Sequence, residues 1–70
     1  MNWNVYIVTV DFGGGVVRQY ESPGITAAGA HVLLVETYEY QMDVMKRGNP
    51  KRVGIEIAAG YVTVEAEEAK

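Results

Sequence analysis

The chain reads as a small α+β domain with the element order strand, strand, helix, strand, strand. Three observations predict it. Residue runs rich in Val, Ile, Tyr and Thr lie at both ends of the chain, over 3–12 and 16–21 and again over 51–58 and 61–66. Helical spacing of apolar residues occupies only the middle, 26–48. Breakers separate the runs: Gly13-Gly14-Gly15, Ser22-Pro23-Gly24 and Ala59-Gly60. Residues 1–66 are expected to form a single domain, with 67–70 as a solvated acidic tail.

The first strand is apolar on both alternating faces. Trp3, Val5 and Ile7 form one set; Tyr6, Val8 and Val10 form the other. Such a strand belongs in the middle of a sheet. The three glycines then supply the positive φ angles of a hairpin turn. The returning strand, VVRQYE, is more polar, as an edge strand should be. Ser22-Pro23-Gly24 is expected to break the sheet and lead into the helix.

The helix has a start and a stop. Thr26 can cap its first turn, with Ile25 as a staple onto Ala30. Lys46 and Arg47 suit the negative end of its dipole, Gly48 can end it, and Pro50 forbids its resumption. At about 100° per residue, Ala27, Ala30, His31, Leu34, Val35, Tyr38, Met42 and Met45 fall on one stripe, expected to face the sheet. Glu36, Glu39 and Asp43 lie opposite. A second apolar stripe, Gly29, Leu33, Tyr40 and Val44, lies between them.

In the third strand Val53, Ile55 and Ile57 alternate with Arg52, Gly54 and Glu56. In the fourth, Val62 and Val64 alternate with Thr63 and Glu65. The apolar parity switches across Ala59-Gly60, which a straight strand cannot do. A tight hairpin is expected there, with one long bulged strand as the alternative. A last strand parallel to the first gives the spatial order 2-1-4-3, which resembles that of β-grasp proteins in element order alone. The alternative, 2-1-3-4, pairs the third strand antiparallel with the first.

Seventy residues allow one thin core, and no cysteine is present to staple it. No apolar run reaches the roughly 20 residues that cross a bilayer, and no signal-peptide pattern opens the chain, so a cytoplasmic protein with no membrane partner is expected. A single histidine, His31, and no cysteine leave no metal site and no cofactor to expect. Ser22 and His31 are too few to define a nucleophilic triad, and no enzyme is expected. Asp11-Phe12-Gly13 resembles the metal-binding triplet of kinases, but this chain is too short to hold one.

A helix resting on one sheet needs one apolar stripe. The second stripe, Gly29, Leu33, Tyr40 and Val44, is therefore expected to bind a protein partner, with Glu36, Glu39 and Asp43 beside it. The expected partners are a second copy of the chain and a host protein. Small size and acidity suggest a phage or mobile-element product that binds or inhibits its target. The alternative is weak nucleic-acid binding. Lys46, Arg47, Lys51 and Arg52 fall within seven positions and leave the rest of the chain with two basic and nine acidic residues.

Overall fold

The computed structural model describes residues 2–59 and 64–65, and of residues 2, 64 and 65 the backbone alone. It is a three-stranded antiparallel sheet with two helices. Strands β1 (Asn2–Gly13) and β2 (Val16–Gly24) form the expected hairpin. Gly13, Gly14 and Gly15 turn it with φ of 87°, 62° and 81°, values that a side chain resists. The Asp11 carboxylate accepts from the Gly13 N–H at 2.8 Å, where the register shifts.

The strand does not stop at Ser22-Pro23-Gly24. All three residues pair with β1, through Tyr6↔Ser22, Val5↔Pro23 and Asn4↔Gly24. Hydrogen-bond alternation explains how a proline fits. Val5 turns its carbonyl away from β2, to accept from the Ala58 N–H at 2.9 Å. Bonding groups alternate sides along a strand, so Tyr6 bonds towards β2 and Ser22 answers it. The Pro23 nitrogen then faces the open edge, where a missing N–H costs nothing.

One face of the sheet is covered. Tyr6, Val8, Val10 and Phe12 of β1 and Tyr20 and Ser22 of β2 are buried, whereas Val5, Ile7 and Thr9 on the outer face are half-exposed. Above the covered face lies α1 (Ala27–Val35). The Thr26 hydroxyl caps it, accepting from Gly29 N–H at 3.1 Å. Buried Ser22 donates to the Ala30 carbonyl at 2.8 Å. Gly24 lets α1 lie this close: a Cβ there would sit 2.6 Å from the Ala30 nitrogen.

The single helix expected over 26–48 is two. The first ends at Val35, and α2 (Tyr38–Arg47) begins after Thr37. Thr37 makes the break. Its hydroxyl donates to the Leu34 carbonyl at 2.7 Å and accepts from the Tyr40 N–H at 3.3 Å. It thus closes one helix and caps the next. Threonine competes for such backbone bonds and favours caps over helix interiors. The far end holds as expected: Gly48, at φ 84°, donates to Val44 O at 2.7 Å.

The break resets the helical phase. Tyr40, expected on an outward stripe, is buried at 7% exposure and joins the core with Val8, Val10, Phe12, Tyr20 and Leu34. Val44 packs against the same cluster. Tyr38 and Met45, expected to face the sheet, are 77% and 78% exposed, and Val35 is exposed as well.

The order 2-1-4-3 is not found. Strand β3 (Arg52–Ile57) pairs antiparallel with β1, from Tyr6↔Ile57 to Asp11↔Arg52, giving β2-β1-β3. Nor does the chain fold back as a hairpin after Ala59. The short segment β4 (Val64–Glu65) also pairs antiparallel with β1, at Trp3↔Val64 and Asn2↔Glu65. Between Tyr6↔Ile57 and Trp3↔Val64, β1 advances three residues while its partner advances seven. Strands β3 and β4 thus run in the same direction along β1, while the switch itself falls on residues 60–63, outside the described residues. Tyr61, Val62 and Thr63 and the tail over 67–70 lie outside the described residues.

Candidate interaction surfaces

The four residues of the second stripe do not share a face. Gly29 and Leu33 border a groove of about 420 Å³ beside Trp3, Ile25 and Val32. Tyr40 and Val44 line a different one, of about 490 Å³, with Val35, Gln41, Met45 and Asn49. Both grooves are open and largely apolar. Trp3, expected in the outer-face row with Val5 and Ile7, reaches the helix side at the first groove.

The three acidic residues also separate. Glu36 is the C-cap of α1, and Glu39 sits exposed in the first turn of α2, where the dipole favours it. Asp43 is half-buried and accepts a hydrogen bond from the Tyr20 hydroxyl. Burial first, and the Asp43 carboxylate second, push the Tyr20 hydroxyl far above the usual tyrosine range. The Tyr20 ring meets Tyr40 edge-on, with centroids 5.7 Å apart and planes at 71°. Asp43 and Tyr40 thus fasten α2 to β2.

The four basic side chains, Lys46, Arg47, Lys51 and Arg52, are all exposed. Lys46 and Arg47 occupy the last turn of α2; Lys51 directly precedes β3 and Arg52 opens it. The Lys51 side chain lies over Gly13, and its N–H donates to Asp11 O at 2.7 Å. This places it at the glycine-turn end of the sheet. His31 is half-exposed on α1, and the Ser22 hydroxyl is committed to the Ala30 carbonyl. Among the described residues no three His, Asp or Glu side chains gather as a metal-ligand set.

Sequence reasoning places no apolar binding residue on β3. The helical layer lies mainly over β2, with α1 approaching β1 and β3 alike, and it leaves part of the β3 row uncovered. Tyr6 and Val10 are buried, while their register partners Ile57 and Val53, on the same face, are 61% and 38% exposed. Ile55, between them, packs against the core. Among the described residues β3 has no neighbour on its far side. An apolar row therefore lies beside an open strand edge. The clean alternation of residues 51–58 is a visible signal, but alternation alone does not say how much of that row a layer of helices covers.

Comparison with protein-family models, with curated proteins and with solved structures returns no match. No helix among the described residues is long and apolar enough to cross a membrane.

Proposed function

We propose that this protein is a small, non-enzymatic protein-interaction module that works as a homodimer. One observation carries the reading: Val53 and Ile57 stay exposed on the helix side of the sheet, on either side of Ile55, which packs against the core. Contiguous exposed apolar surface on a small soluble domain marks an interaction site. Val35, Tyr38 and Met45 on the helices are exposed as well.

Magnitudes favour a symmetric partner. Full burial of a Val or Ile side chain is worth about 1.5–3 kcal/mol, and association costs an estimated 4–15 kcal/mol or more. One such pair of residues does not meet that cost. Two copies contribute the pair twice, and an open strand edge adds backbone hydrogen bonds. The test is solution mass by light scattering over a dilution series. The expected result is twice the 7.7 kDa of the chain, dissociating on dilution. A monomer mass up to about 1 mM would end the homodimer reading, because a dimer worth about 4 kcal/mol is already substantially formed there.

The exposure of all four basic side chains supports a second reading, an electrostatic contact with nucleic acid. It requires duplex binding that falls steeply with salt and weakens in Lys46→Glu/Lys51→Glu. Absence of binding at low salt would remove it.

A further inference from the structure

We infer that two copies of the chain join edge to edge through β3, antiparallel, with the two-fold axis at Gly54. The inference rests on the homodimer reading and specifies its surface and register. Three independent features lead to it.

The first is which edge is open. Among the described residues both β2 and β3 are edge strands. The β2 edge is blunted, since the Pro23 nitrogen faces outward there, and proline at an edge discourages pairing. No proline lies within Arg52–Ile57. Ala58 bonds inward to Val5, so by alternation Val53, Ile55 and Ile57 turn their N–H and C=O groups to the free edge.

The second is charge. Arg52 and Glu56 lie on the outer face of β3 and are exposed, two residues either side of Gly54. Antiparallel pairing about Gly54 sets Arg52 of each copy opposite Glu56 of the other, and Val53 opposite Ile55. Centring on Ile55 would set Arg52 against Ala58; centring on Val53 would set it against Gly54. Only the Gly54 register joins opposite charges. Arg52 already faces Asp11 across β1, so it would sit between two carboxylates. The odd-numbered residues bond across the new seam, which gives Val53 and Ile55 of each copy two ladder hydrogen bonds.

The third is the glycine itself. Gly54 is exposed, its φ is not positive, and a Cβ there would meet no described atom within 4 Å. The monomer has no steric need for glycine in the middle of this strand. Glycine in a strand often marks close approach of another backbone, and Gly54 falls on the axis. The result is a continuous sheet, β2-β1-β3-β3-β1-β2, with both helical layers on one face and the Val53 and Ile57 rows between them.

Cross-linking tests the register. The chain has no cysteine, so Gly54→Cys carries a single thiol. At a non-hydrogen-bonded antiparallel pair the two Cα atoms are about 4.5 Å apart, within disulfide range. In Glu56→Cys the thiols would be separated by four residues along the strand, roughly 14 Å, and out of range. Air oxidation should give a covalent dimer for Gly54→Cys and little for Glu56→Cys. Charge exchange is the second arm. Arg52→Glu should weaken the dimer roughly tenfold, and Arg52→Glu/Glu56→Arg should restore it. Val53→Pro, which removes an N–H facing the edge, should give a folded monomer by circular dichroism. A dimeric wild type whose cysteine variants do not discriminate, or whose charge exchange fails to restore mass, overturns this register and leaves the homodimer reading standing. A monomeric wild type overturns both.

Discussion

Replacing Thr37 by alanine separates two helices from one by the sign of its effect. In an unbroken helix Thr37 would be an interior residue, and alanine would be the better helix former by up to about 0.7 kcal/mol. The variant would then be more stable. In the structure Thr37 lies outside both helices, at φ −77° and ψ 145°. Its hydroxyl accepts from Tyr40 N–H at 3.3 Å and donates to Leu34 O at 2.7 Å. Loss of an N-cap costs about 1 kcal/mol, within 0.5–2. The Leu34 carbonyl keeps a second partner, the Thr37 N–H at 2.9 Å, so the other bond adds an amount near the low end of about 0.5–1.5 kcal/mol. The sum is a destabilisation of about 1–2 kcal/mol. For a domain of this size that lowers Tm by roughly 4–8 °C per kcal/mol. Urea unfolding followed by circular dichroism, at one fixed protein concentration, measures it. Thr37→Ser, which keeps the cap, should lie near wild type. An alanine variant with an equal or higher midpoint would refute the two-helix account.

Three further outcomes follow from the packing. Gly24→Ala drives a methyl group into the Ala30 backbone, 2.6 Å away, and should cost about 1–3 kcal/mol in urea unfolding; a neutral effect would mean that α1 does not rest there. Tyr40→Ala should lose about 3–5 kcal/mol, close to unfolding the domain, while Tyr38→Ala should stay within about 0.5 kcal/mol; the reverse ranking would restore the unbroken helical phase. Burial and Asp43 raise the Tyr20 hydroxyl, so the neutral form is the one the fold prefers. Its contribution is complete below the ordinary tyrosine value of about 10 and is lost as pH rises beyond it. Wild type should therefore lose more stability than Tyr20→Phe between about pH 8 and pH 11; parallel pH profiles would contradict this.

Signals that act locally were legible in the sequence. The glycine turn, the Thr26 cap, the Gly48 stop and the doubly apolar first strand all depend on neighbours in the chain, and each appears where its residues predict it. Signals that act through space were not. Thr37 has the residue type of a cap, yet the apolar spacing continues through it, and only the bond to Leu34 decides the matter. That one residue decides four others: unbroken spacing predicts Tyr40 and Val44 outward and Tyr38 and Met45 inward, and the structure has the reverse. Strand order was harder still. The alternation over 51–58 fixes which residues share a face, but carries nothing about whether the strand runs parallel or antiparallel to its partner. Pro23 misled for the same reason, since whether a proline ends a strand depends on which way its nitrogen faces.

The glycines of this chain bear on what β3 is for. Gly13, Gly14, Gly15 and Gly48 hold positive φ, and Gly24 makes room for α1. Each is required by the folded monomer. Gly54 has neither reason, and β-branched residues there would suit an exposed strand better by up to about 1 kcal/mol. The same strand leaves Val53 and Ile57 exposed and carries Arg52 and Glu56 at equal distances from the glycine. Taken one at a time, each is a small departure from what a lone edge strand should be: a glycine that weakens it, apolar residues that make it adhesive, and charges placed symmetrically rather than scattered. A lone edge would be expected to carry a proline or an inward-facing charge, as β2 carries Pro23. All three departures have one cause if the edge is half of a seam, because symmetry about a single residue is a property that antiparallel self-pairing needs and an isolated strand does not.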